Sequence, residues 1–247
     1  KFKHKGRDWV VDLEMFNGAR RYAKALNAPH NTLRLEDPVR ISRIHPTECW
    51  GTPDAWRYFP EGLEWSAGMP VIRVGDYKYG HRFVEVFENF QLIAYVVGVM
   101  ERLELNDMGV MVELILVQPR SYHREGPVRY WRVPGVDLRA LVNIAAGAAQ
   151  RALMPNPTAQ TGAHCLDCTA RHLCGTFKQA TANIIDYSGT AEFAPLDIEA
   201  MGAELRVLDM ARQRHEALRT GLAAMVEATL RAGKRVPHYE LAPGQSR

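Results

Sequence analysis

The pattern of apolar and polar positions divides the chain into alternating helical and extended stretches. Over residues 8–26, Val11, Leu13, Phe16, Ala19, Tyr22 and Leu26 recur at helical spacing, which predicts an amphipathic helix ended by Asn27 and Pro29. Residues 32–44 switch to alternation through Leu33, Leu35, Val39, Ile41 and Ile44, an extended segment with a turn at Asp37-Pro38. Residues 51–58 and 70–78 read as a second and a third strand. A helix over residues 87–105 follows, with Phe87, Phe90, Ile93, Ala94, Val97 and Met100 on one face. The nearly unbroken apolar run of residues 110–117 predicts a strand covered on both sides. Residues 128–133 would pair beside it, and residues 138–153 are again helical. This order predicts an α/β fold with a mixed β-sheet flanked by helices.

Beyond Pro155 the pattern changes. A Pro-, Asn- and Gly-bearing loop leads to three clustered cysteines, and residues 197–232 carry Met201, Leu205, Leu208, Met210, Leu218, Leu222 and Met225 as one or two long helices closed by Gly233. The expected organisation is a core over residues 1–155, a cysteine segment over 156–190 and a helical extension over 191–247. No repeat or low-complexity tract interrupts it.

With 247 residues, 47% of them hydrophobic, the chain can bury a substantial core. No run reaches the roughly 18 apolar residues of a membrane span, and the opening KFKHKGRDW lacks a signal-peptide core. A soluble protein of the cytoplasm is expected. The net charge of +3, from 31 basic and 28 acidic residues, points only weakly to nucleic acid. A binding face would need local clusters such as Lys1, Lys3 and Lys5, or Arg120, His123, Arg124, Arg129 and Arg132. An ordinary solvated surface explains each of these equally well.

The chemistry concentrates in GTPDAWRY (residues 51–58) and VIRVGDYKYG (residues 71–80). Side chains alternate along a strand, so Asp76 and Lys78 share a face while Tyr77 points to the opposite layer, and Asp54 can join them from the neighbouring strand. Two carboxylates and a backbone carbonyl are hard ligands suited to Mg²⁺, and a lysine beside them can orient a nucleophile and offset charge. A lone D-x-K is commonplace, an exposed ion pair in most proteins.

The order GTPD, then DYK, then NFQLIAY (residues 89–95) resembles the RecB-type branch of the PD-(D/E)XK nuclease superfamily, in particular its phage and prophage members. The likeness extends to the closing LRAGKRVPHYELAPGQSR. The resemblance implies a restriction-endonuclease-like sheet and a Mg²⁺- or Mn²⁺-dependent deoxyribonuclease, plausibly an exonuclease for phage recombination or replication alongside a strand-annealing partner. It implies Asp54, Asp76 and the Tyr77 carbonyl as metal ligands and Lys78 as the catalytic lysine. Gln91 and Tyr95, one helical turn apart, match the branch's Q-x-x-x-Y signature and would support the site and meet the DNA backbone. The branch also carries a His or Glu on its first core helix. Glu14 and His4 are the nearby candidates, Glu48 is a further acidic neighbour, and the residue could precede Lys1.

Cys165, Cys168 and Cys174 form C-x2-C-x5-C in HCLDCTARHLC, a spacing for metal rather than for a disulfide framework. The resemblance implies a [4Fe-4S] cluster on these three, with an upstream fourth cysteine expected before Lys1; Cys49 is expected in the core. The alternative is structural zinc completed by His164 or His172. Trp50, Trp56, Trp65 and Trp131 are candidate base-stacking platforms, with core packing the expectation for most of them. His81 and Arg82 are candidate phosphate contacts. Against the nuclease stand two other readings, a non-catalytic DNA-binding or scaffold subunit of the same fold and a zinc-bearing regulator.

Overall fold

The computed structural model describes residues 2–4, 7–26, 32–187 and 197–242. The chain forms two compact units, residues 1–157 and 158–247. The cysteine segment and the C-terminal helices, drawn as separate segments from the sequence, fall within one of them.

The first unit is α/β. Strands β1 (Phe2–His4) and β2 (Arg7–Trp9) pair antiparallel and precede helix α1 (Leu13–Leu26). The helix starts later than its apolar pattern suggested, because residues 7–9 are extended and Asp12 accepts the Met15 N–H at 2.7 Å, capping the first turn. Short strands β3 (Arg34–Leu35), β4 (Val39–Arg40) and β5 (Trp50–Gly51) follow, with the expected bend between β3 and β4. The predicted strand over residues 51–58 is split: β5 pairs with β4, and after Thr52-Pro53-Asp54 the chain enters β6 (Ala55–Phe59) in the main sheet. Pro53 has no N–H for a ladder, which accounts for the break.

The main sheet is completed by β7 (Val71–Tyr77), β8 (Met111–Val117) and β9 (Val128–Pro134), in the order β3-β6-β7-β8-β9. Within this sheet β7 and β8 run parallel, joined through helix α2 (Phe90–Arg102), and the other described pairings are antiparallel. The sheet is therefore mixed, as the element order predicted. Helix α2 begins at Phe90 rather than residue 87, because the Asn89 side chain accepts the Gln91 and Leu92 N–H groups. Helix α3 (Arg139–Ala152) follows β9.

The core lies between the sheet and α2: Ile72, Val74, Leu114 and Leu116 meet Leu92, Ile93, Val96 and Met100, all essentially inaccessible. Burying one such side chain is worth roughly 1.5–3 kcal/mol. Every residue of β8 after Met111 is buried, in keeping with its unbroken apolar run. The α1 side of the sheet combines buried apolar residues, Val71, Ile115 and Val117, with a buried ion pair. Glu113, 1% exposed, accepts from Arg73 and from Arg132 (2.8 Å), and Arg73 also donates to the Leu26 carbonyl at the end of α1. A guanidinium on the last carbonyls of a helix satisfies an otherwise orphaned acceptor and suits the helix dipole. Cys49 is partly buried against the core.

In the second unit, a 3-10 turn over Ala163–Leu166 carries the first cysteine and leads through further turns to α4 (Gly175–Tyr187), a helix that the apolar pattern did not predict. Helix α5 (Ile198–Arg231) is continuous, with Asp197 accepting the Ala200 N–H at its start. Arg171 fastens the cysteine loop to α5, donating to the carbonyls of Ala217 (2.6 Å) and Cys168 (2.8 Å). Among the described residues no helix is long and apolar enough to cross a membrane.

Candidate active site

The alternation of β7 decides what meets at its C-terminal end. Ile72, Val74 and Asp76 face α2, whereas Arg73, Gly75 and Tyr77 face α1. Asp76, 2% exposed, continues the buried row, so a carboxylate stands at the rim of an apolar core. Lys78, the next residue on that face, places Nζ 2.9 Å from Asp76 Oδ2. That oxygen is buried and receives no well-aligned hydrogen bond among the described residues.

Gln91, in the first turn of α2, joins the two. Its Oε1 accepts from Lys78 Nζ at 3.2 Å, and its Nε2 reaches Asp76 Oδ1 at 3.4 Å and the Tyr95 hydroxyl at 2.8 Å. Gln91 and Tyr95 are one turn apart and point the same way. Gly51 makes the position of Tyr95 attainable, since a Cβ there would stand 2.6 Å from the ring. Asp54, just before β6, accepts the Tyr77 N–H on Oδ2 at 2.7 Å, which fixes its carboxylate to the strand that carries Asp76. Asp54, Asp76, Lys78, Gln91 and Tyr95 are thus brought together, although separated by up to 41 positions in the chain.

Burial raises the Asp76 carboxyl above the usual carboxylate range; Lys78 opposes the shift and the Asp54 charge adds to it. Desolvation, the largest cause, is a cost that a second cation would relieve. Two carboxylates, with the Tyr77 carbonyl next to Asp76 in the chain, form a hard-oxygen set of the kind a small divalent cation takes while keeping several waters. Glu36 was not foreseen. Its backbone N–H donates to the Asp54 carbonyl at 3.2 Å, and it holds a left-handed backbone with φ 48°. Such strain in a residue other than glycine is commonly kept at functional positions. Tyr22 belongs to the α1 apolar stripe, yet its hydroxyl is buried with no hydrogen-bond partner among the described residues, and burial, followed by the charges of Asp54, Asp76 and Glu36, raises its pKa far above that of a free phenol. A donor of this kind has no sequence signature; it becomes visible only when α1 lies on β7.

Other candidates lie elsewhere. Glu14 pairs with Arg120 at 3.0 Å, and Glu48 is exposed with its N–H donating to His45, so neither is bonded to the pair. Lys1 and Lys5 lie outside the described residues, and for Lys3 and His4 only the backbone is described. Arg129, offered as part of a basic face, is instead 3% exposed and donates to Gly126, Val84 and Gln118. It braces the β8–β9 hairpin. Arg132 is engaged by Glu113, and its guanidinium lies 4.6 Å from the Trp65 ring; the His123 ring lies 4.0 Å from Phe83; Arg124 is exposed. His81 Nδ1 meets the Arg120 carbonyl at 3.1 Å. Trp56 is in the core and Trp131 packs against it, whereas Trp50 is 71% exposed.

Cys165, Cys168 and Cys174 share one loop, and all are free thiols. Cys168 N–H closes a turn onto the Cys165 carbonyl at 3.3 Å, and Cys174 immediately precedes α4. Among the described residues no three His, Cys, Asp or Glu side chains are gathered as a metal-ligand set.

The family whose model matches the chain is described as protein of unknown function (DUF2800), over residues 7–247. No curated protein matches.

Proposed function

We propose that this chain, which belongs to the DUF2800 family, is a metal-dependent DNA nuclease of the PD-(D/E)XK type that hydrolyses phosphodiester bonds, working as an exonuclease in phage recombination or replication. One observation carries the reading: Asp76 and Lys78 are paired at the end of a central strand, with Asp54 fixed beside them and Gln91 bonded to both. Asp54, Asp76 and the Tyr77 carbonyl would hold Mg²⁺ or Mn²⁺. Such an ion supplies Lewis acidity toward a phosphate oxygen and an acidified water. Lys78 holds positive charge where the phosphorane charge develops and is kept there by Asp76 and Gln91. Tyr95 orients Gln91 in turn, and the apolar floor under Asp76 excludes bulk water, which strengthens each of these interactions.

The cysteine loop, in this reading, is a structural metal site, [4Fe-4S] or zinc with His164 or His172, stabilising the second unit. The protein's partners would be DNA and a phage strand-annealing or recombination protein in the cytoplasm of the host.

The test is digestion of end-labelled linear and circular DNA with Mg²⁺ or Mn²⁺. Wild type is expected to degrade linear DNA, and Lys78→Ala and Asp76→Asn to lose at least about a hundredfold of the rate. Cleavage that survives both substitutions overturns the assignment. DNA binding without any cleavage by wild type favours the scaffold subunit. Iron and zinc analysis of anaerobically purified protein, with absorbance near ~400 nm for a cluster, decides the cysteine site.

A further inference from the structure

Within the second unit, a pocket of about 350 Å³ lies between the start of α4 and the middle of α5. His215, Leu218, Arg219 and Leu222 line it from α5, spaced so that one face of the helix supplies the wall. Lys178, in the first turn of α4, and His172, ahead of that helix, line it from the other side. His172 Nδ1 is buried with no hydrogen-bond partner among the described residues, and it lies so close to Gly221 that a Cβ there would stand 2.9 Å away. Packing, not a bond, holds this imidazole in place. Two permanent cations and two imidazoles thus converge, and none of the residues lining the pocket is acidic. The adjoining cleft toward the end of α5 is balanced by contrast, with Arg219 and Arg231 offset by Glu227 and Glu240.

We infer that this pocket binds a phosphate group, borne by a nucleotide or by a nucleic-acid backbone. Lys178 brings a point charge, Arg219 a planar fork of donors and each imidazole a ring nitrogen, a set that suits several acceptor oxygens on one centre. Glu216 pairs with Arg219 at 2.9 Å and offsets part of its charge, but it lies outside the lining. Leu218 and Leu222 lower the local dielectric, which strengthens the pull of the cations on an anion. The volume exceeds that of a bare phosphate and leaves room for an attached sugar. Lys178, His215 and Arg219 lie outside the cysteine loop, so the charge they bring is the same whatever metal that loop takes. The site belongs to the second unit and does not depend on the nuclease reading.

The test is calorimetric titration of the full chain, without added Mg²⁺ or Mn²⁺. The probes are inorganic phosphate and, separately, a short oligodeoxynucleotide without terminal phosphates. Wild type should bind at least one of them. Lys178→Gln and Arg219→Gln should each weaken that binding at least about tenfold, the order of a hydrogen bond to a charged group. Arg212, exposed on the same helix, is not part of the lining, and Arg212→Gln should change the affinity by no more than about twofold. All three side chains are exposed, and an unchanged thermal melting curve confirms that each variant folds. Binding of phosphate alone makes the ligand a free or terminal phosphate, and binding of the oligonucleotide that both pocket variants weaken makes it the backbone. Binding of neither probe, binding that ignores Lys178→Gln and Arg219→Gln, or an equal loss in Arg212→Gln, the sign of a diffuse charged face, overturns the inference.

Discussion

Strand β7 in the first unit and helix α5 in the second meet water in opposite ways. β7 is buried from Val71 to Asp76, including two charged residues with assigned partners. Along α5 only Ala217 and Gly221 are buried, while Ile198, Met201, Leu205 and Leu208 lie exposed. A strand inside a five-stranded sheet has neighbours on both edges and layers on both faces, so a carboxylate placed there has its position fixed. A unit of two helices and a loop buries few side chains, and its cysteine loop is held by backbone turns and by Arg171. Small units of this kind commonly draw stability from a metal, whose binding energy becomes folding energy.

The largest expected effect tests the charged layer of the first unit. Glu113→Ala leaves the Arg73 guanidinium buried without its carboxylate and should cost about 3–5 kcal/mol. Urea unfolding followed by hydrogen exchange should locate the loss in β7–β9; an equal loss in α5 would abolish the distinction between the units. Phe177→Ala removes a fully buried side chain from α4 and should cost about 3 kcal/mol, read as faster exchange in α4 with β7 and β8 unchanged.

Acid sharpens the comparison further. Hydrogen bonds from Arg139, then Arg43, lower the Asp107 carboxyl to about 2. A depressed carboxylate contributes stability that is present above its unfolded value near ~4 and is lost as the pH falls toward the folded value. After allowance for solvent screening, the first unit should lose about 1–2 kcal/mol over that window. Asp107→Asn should flatten this acid limb, and a limb of unchanged steepness would show that Asp107 does not cause it. The smallest effect is expected from Tyr22→Phe, which removes a buried donor that has no partner among the described residues and should shift stability by no more than about 1 kcal/mol in either direction. A larger loss on chemical denaturation would mean that the hydroxyl has a structural partner.

Much of the first unit was legible in the sequence because its strands follow simple period-two and all-apolar patterns. The run of residues 110–117 could only be a doubly covered strand, and D-x-K on a strand had to place Asp76 and Lys78 on one face. The split at Pro53, the late start of α1 and the Asn89 cap were less visible, since each depends on one side chain or one missing N–H group overriding a longer pattern. Helix α4 escaped prediction because little in it is buried: Phe177 and Thr181 give no apolar stripe.

The sequence by itself determined the mixed α/β class, the order of most elements of the first unit and the cysteine spacing, and the family resemblance singled out Asp54, Asp76, Lys78, Gln91 and Tyr95. The class, the element order and the spacing follow from local periodicity, whereas the site residues follow from the order of short motifs that the resemblance rests on. The tertiary structure decided that Gln91 bonds to both Lys78 and Asp76, that Glu36 and Tyr22 border Asp54, and that Arg129 braces a hairpin instead of forming a basic face. Those facts depend on contacts between residues distant in the chain, which arise only when the helices settle on the sheet and each buried charge must find its partner.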